Sequence, residues 1–134
     1  MIALVATVDG TFAIDLEDGT VLPADAFAPA PAPALNLPRL IAAASVGPTV
    51  VAVVDAKPPL LLSYDAGVTW RASGRGLPPG RAVAIAGDDP DTILFAARNR
   101  LYLSRDGGVF WTAVPVELAE IEALELRGRA RRGR

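Results

Sequence analysis

Two carboxylates, Asp65 and Asp106, occupy the same place in two copies of one eight-residue pattern, S-x-D-x-G-x-x-W. The first copy holds Ser63, Asp65, Gly67 and Trp70; the second, 41 residues on, holds Ser104, Asp106, Gly108 and Trp111. A carboxylate beside glycine raises two kinds of chemistry, acid–base catalysis and calcium binding. Calcium takes several oxygen ligands from one loop, and neither copy carries a D-x-D-x-D-G run. The residue types suit a structural task better. Aspartate in a turn accepts backbone N–H bonds, serine adds weaker ones, and glycine adopts positive φ at no steric cost. The tryptophan that follows folds over the turn and buries apolar area beside it. These eight residues are expected to shape turns, and no metal or cofactor is expected.

The chain has no histidine and no cysteine. That removes the commonest general base, the usual zinc ligand, any Ser-His-Asp triad and any disulfide. No run reaches the ~20 apolar residues of a spanning helix, and the N-terminus lacks a basic leader, so a cytoplasmic location is expected. Net charge is -2, yet Arg127, Arg129, Arg131, Arg132 and Arg134 crowd the last eight positions. No aromatic residue interleaves with them. Segment 128–134 therefore reads as a flexible basic tail, and neither nucleic acid nor membrane is an expected partner.

Turns of this kind must be held by strands. Each copy follows an apolar run, Leu60-Leu61-Leu62 or Leu101-Tyr102-Leu103, and a fixed period of this length marks a repeated supersecondary unit. Around the second copy, 82–86 reads as a strand, 87–91 as a Gly/Asp/Pro turn, and 92–97, 101–104 and 110–114 as further strands. Around the first copy, 40–46, 49–54, 60–63 and 70–72 repeat that order. A degenerate unit opens the chain: Asp15, Glu17, Gly19 and Leu22 stand where Ser, Asp, Gly and Trp stand in the others. This unit has no first strand of its own, and the repeat phase assigns it the chain end. Segment 117–126 is rich in the helix formers Glu, Ala and Leu, but 122–126 alternates as a strand does, and repeat phase favours the strand.

The pattern resembles the Asp-box, or bacterial-neuraminidase repeat, of β-propellers of the sialidase, sortilin and photosystem-assembly-factor kind. The resemblance implies an all-β chain, a β-propeller of four-stranded antiparallel blades with three blades per chain. Blade 1 comprises 1–25 and 121–127, blade 2 comprises 39–74 and blade 3 comprises 81–116. Propellers close with roughly four to eight blades, so three leave two apolar end faces open. The expectation is a homodimer that completes a six-bladed ring, the C-terminal strand of one subunit finishing blade 1 of the other. The alternative is a piece of a longer propeller.

The resemblance also implies that ligands bind at the channel mouth, where Arg39, Arg75, Arg81, Arg98 and Arg100 fall on loops, and arginines suit an anionic ligand. A sialidase-like glycoside hydrolase needs a Tyr–Glu pair with an arginine triad, or two carboxylates across a cleft. The chain has only Tyr64, inside a rim turn, and Tyr102, and the Arg-Ile-Pro motif of sialidases is missing. The expected function is a non-catalytic binding or scaffold module for an unknown protein or anionic small ligand. A hydrolase acting at the ring axis is the alternative. One connector stands apart: 26–38 alternates Ala and Pro through Pro29, Pro31 and Pro33, which favours stiff polyproline II. Phe27 and Leu35 are its expected anchors.

Overall fold

A computed structural model describes residues 1–127 of the chain. The basic tail expected at 128–134 lies outside the described residues. Twelve strands and no helix form among those described: β1 (Ile2–Thr7), β2 (Gly10–Asp15), β3 (Val21–Pro23), β4 (Leu40–Val46), β5 (Thr49–Val54), β6 (Leu60–Ser63), β7 (Arg71–Ser73), β8 (Ala82–Ala86), β9 (Asp89–Ala96), β10 (Leu101–Ser104), β11 (Thr112–Ala113) and β12 (Ile121–Arg127). The chain is all-β. Its strands form three four-stranded sheets, ordered β12-β1-β2-β3, β4-β5-β6-β7 and β8-β9-β10-β11, and every neighbouring pair is antiparallel.

The sequence of β5, Thr-Val-Val-Ala-Val-Val, explains its place as a central strand. β-Branched side chains fit a pleated surface, and all six residues are buried, as in a strand covered on both faces. β9 begins at Asp89, three residues earlier than its turn-like Asp-Pro-Asp start suggests, and β11 shrinks from the expected 110–114 to two residues. Phe110 is left exposed before it.

The C-terminal segment is the strand β12, and it pairs with β1 of its own chain, Ala3 opposite Leu126 and Val5 opposite Leu124. The expected exchange of this strand between subunits is therefore corrected. The hydrogen-bonding edge of β1 is filled in cis, so the opening sheet has four strands without a second chain. Helix-favouring Glu and Ala give way because Ile121, Leu124 and Leu126 are buried in a core that only the extended form reaches.

The third sheet lies between the other two. One core joins it to the first sheet, with Val5, Ile14 and Leu124 packed with Leu94, Leu101 and Leu103. A second core joins it to the second sheet, with Val51, Val53, Leu60 and Leu62 packed with Ile93 and Phe95. The first-position strands are neighbours in space, β8 packing against both β4 and β12. The result is an arc of three sheets.

Sequence expected both end faces of this arc to be bare. The second sheet corrects that. Side chains alternate along β5, so Val50, Ala52 and Val54 point away from the third sheet, yet they are only 4%, 0% and 6% exposed. They belong to neither core cluster. Connector residues Phe27, Pro33, Leu35 and Leu37 are half-buried and likewise belong to neither.

Candidate functional site

In the first turn, the Ser63 hydroxyl accepts the Gly67 N–H at 2.8 Å and donates to Asp65 Oδ1 at 2.7 Å. Asp65 also accepts the Thr69 N–H at 2.9 Å and the Thr69 hydroxyl at 2.6 Å. The second turn repeats this arrangement. Ser104 accepts from Gly108 and donates to Asp106, and Asp106 accepts the Phe110 N–H. Serine thus has a larger share than sequence suggested, bridging carboxylate and backbone. Gly67 and Gly108 take φ of 91° and 89°, which L side chains rarely adopt. Trp111 closes its turn, its Nε1–H donating to the Gly108 carbonyl at 3.2 Å. Both oxygens of Asp65, and Oδ1 of Asp106, are engaged by these bonds.

The Thr69 hydroxyl and N–H, followed by Ser63, lower the Asp65 pKa from 3.8 to about 2. A lowered folded-state pKa means the carboxylate form is the bound one. Its contribution is complete above the unfolded pKa and is lost as pH falls through the folded value. Carbon-detected NMR titration of Asp65 is therefore expected to show a midpoint near 2. A midpoint at the ordinary value of 3.8 would mean that these hydrogen bonds do not persist in solution.

The turns also join the sheets along one rim. Tyr64 donates its hydroxyl hydrogen to the Gly107 carbonyl at 2.9 Å, and Ser73 donates to the Gly108 carbonyl at 2.7 Å. Arg71 lies over the Tyr64 ring, 5.2 Å from its centroid, and donates to its hydroxyl oxygen. At the next joint Arg105 donates to Glu17 at 2.9 Å. The degenerate turn departs from the pattern: Asp15 accepts the Glu17 N–H, Glu17 serves the joint, and Leu22 is 60% exposed and covers nothing.

The five arginines expected at one mouth do not meet. Arg81, Arg98 and Arg100 line a pocket of about 490 Å³ together with Pro79, Asn99 and Tyr102. Arg75 lies instead in a rim groove beside Arg71 and Val109. Arg39 precedes β4 at φ 59°, its carbonyl accepting the Asp55 N–H. The three clustered arginines face two acids that sequence reading had not enlisted. Arg81 pairs with Glu120 at 2.8 Å, Arg98 with Glu120 at 3.7 Å, and Arg100 with Glu117 at 4.0 Å. The hydrogen bond and charge of Arg81, with the charge of Arg98, hold Glu120 below the usual carboxylate range. Backbone bonds follow the same path, Leu118 N–H to Asn99 and Ile121 N–H to Arg98. The acids just before a basic chain end were the available signal. This cluster ties the entry of β12 to the third sheet as well as lining a pocket.

Arg81 also borders a larger cavity of about 580 Å³. Its walls are β4, β8 and β12, one from each sheet, and Pro29–Ala32 of the connector forms its fourth side. Small residues dominate: Ala42, Ala44, Ala82, Ala84 and Ala123. Two wall residues, Ile41 and Glu122, were invisible to the sequence reading. Val53 and Val54 oppose Ala42 and Leu40, which leaves Ile41 as an extra residue on β4. Ala6 and Thr7 oppose Ala123 and Ile121, which leaves Glu122 as an extra residue on β12. Such bulges re-aim side chains and increase local twist.

No group of three or more His, Cys, Asp or Glu residues suited to a metal occurs among the described residues. No helix of the structure is long and apolar enough to cross a membrane.

No family model matches the chain, and no curated protein does. Among solved structures it is similar to a GH74 enzyme of Niastella koreensis, a β-propeller glycoside hydrolase. The match covers 89% of this chain and 18% of that one, at 21% identity and a TM-score of 0.51. The chain thus spans less than a fifth of that enzyme's length, and the likeness is one of fold.

Proposed function

We propose that this chain is a non-catalytic β-propeller module of the Asp-box kind that binds a ligand in the cavity at the propeller axis. The observation that carries the reading is the convergence of β4, β8 and β12 on one cavity of about 580 Å³, lined by alanines with a few charged side chains among them. Small-molecule sites have volumes of about 300–1,000 Å³, mostly apolar walls and a few polar groups. The adjoining arginine pocket extends the same mouth, with Arg81 common to both.

The similarity to a GH74 enzyme favours a second reading, glycoside hydrolysis at the same axis. Hydrolysis needs two carboxyl groups flanking the scissile bond. Within one chain the carboxylates that line the cavity, Glu122 and Glu125, stand on one strand, and so on one wall. A panel of chromogenic glycosides, sialosides included, is expected to give no turnover above buffer. Turnover that rises with protein concentration and survives repurification would move the assignment to the hydrolase.

The reading extends to assembly. The second and first sheets end the arc, and a second copy joining those ends gives a six-bladed ring, with the connectors at the joints. Light scattering is then expected to report twice the 13.9 kDa chain mass. A single-chain mass would refute the ring and leave the cavity reading standing.

A further inference from the structure

From the bulges and the charge pairing around the axial cavity, we infer that its ligand is a small apolar molecule carrying one ammonium group, with Glu122 as its anchor. The inference rests on the binding reading above and adds the chemistry of the ligand. Three charged side chains line it and decide the question. Arg81 lines the cavity, but its charge is met by Glu120 at 2.8 Å. Glu125 lines it too, and is met by Arg127 at 2.7 Å. Glu122 lines it and has no ion-pair partner among the described residues. Among the described residues the cavity therefore presents one net negative charge.

The backbone places that charge deliberately. Glu122 is the extra residue of the bulge on β12, and Ile41 is the extra residue of the bulge on β4. Both bulges fall at the start of a strand that walls the cavity, on opposite sides of β8. One re-aimed residue is apolar and the other anionic. Between them lie alanines, which offer a flat apolar surface without filling the space. An apolar body against Ile41 and the alanines, with its ammonium on Glu122, satisfies each of these features. An anionic ligand would have to displace Glu120 from Arg81 and tolerate Glu122 nearby.

Three environment-sensitive dyes of similar size test this on the full chain. Dansylcadaverine carries an ammonium, dansylamide is neutral, and anilinonaphthalene sulfonate is anionic. Dansylcadaverine is expected to bind saturably, about three- to fivefold more tightly than dansylamide, the size of a partly exposed ion pair. The sulfonate is expected to bind most weakly. Glu122→Gln is expected to erase the preference while leaving dansylamide unchanged, and raising the salt concentration to do the same. Ser45→Trp, which adds bulk at an exposed wall position, is expected to weaken both dansyl dyes. Equal binding of the two dansyl dyes by the wild type, or a preference that survives Glu122→Gln, overturns the ammonium assignment. If Ser45→Trp still weakens both in that case, the cavity remains the binding seat. If Ser45→Trp changes nothing for any dye, the seat itself is wrong.

Discussion

Replacing Phe95 with alanine is expected to cost about 3–5 kcal/mol of folding stability, the largest loss of any single truncation in this chain. Phe95 is the largest fully buried side chain and lies in the core between the second and third sheets. Its ring sits 6.2 Å from both Tyr102 and Trp111, edge-on to the latter. Such aromatic pairs add about 0.5–1.5 kcal/mol beyond area burial, and truncation loses them along with the transfer energy. The surrounding strands cannot collapse into the void, because β9 is held by β8 on one side and β10 on the other. Urea unfolding should therefore shift its midpoint strongly. The same experiment on Phe110→Ala is expected to show a change within about 0.5 kcal/mol, since that ring is 74% exposed. A small loss at Phe95 would mean that the two sheets do not pack through it.

What was legible in the sequence follows from how local each feature is. The turns at 63–70 and 104–111 were readable because serine, aspartate and glycine act within five residues, and the structure closes both with hydrogen bonds of that range. β6 and β10 appear at the expected residues, since each leads directly into such a turn. Leu22 stays exposed because the degenerate unit keeps the glycine but lacks the tryptophan, and nothing local tells a leucine to fold back. The arginine cluster was half readable. Arg98 and Arg100 share a loop, but their partners Glu117 and Glu120 arrive from the far side of the β10–β11 hairpin. Ile41 and Glu122 could not be singled out at all. A bulge is a property of two strands in register, and one strand's sequence does not contain it. The burial of Val50, Ala52 and Val54 was missed for a related reason: repeat logic compares units with one another, and the end of the arc has no counterpart among them.

Gly80→Ala is expected to destabilise the protein by about 1–3 kcal/mol, through space and not through backbone freedom. A methyl group at Gly80 would stand 2.4 Å from Phe95 Cε1 and 2.7 Å from Val53 Cγ1, well inside van der Waals contact. The backbone there is in a region that any residue adopts, so the cost is a clash at the junction of the second and third sheets. Gly87→Ala is the natural control: nothing lies within 4 Å of the added carbon, and no positive φ is required. That variant is expected to be neutral or slightly stabilising, because alanine restricts the unfolded chain. The clash makes a further statement that contacts alone would not. Val53→Ala removes Cγ1, one of the three atoms that the new Cβ meets, while the two Phe95 ring contacts remain, so the double variant Gly80→Ala/Val53→Ala should lose somewhat less than the two single losses combined. Residues in contact show coupling of about 0.5–3 kcal/mol, and a value near 1 kcal/mol with this sign is expected here. Strict additivity would indicate that Gly80 and Val53 are apart in solution. It would then follow that the second sheet packs against the third in some other way.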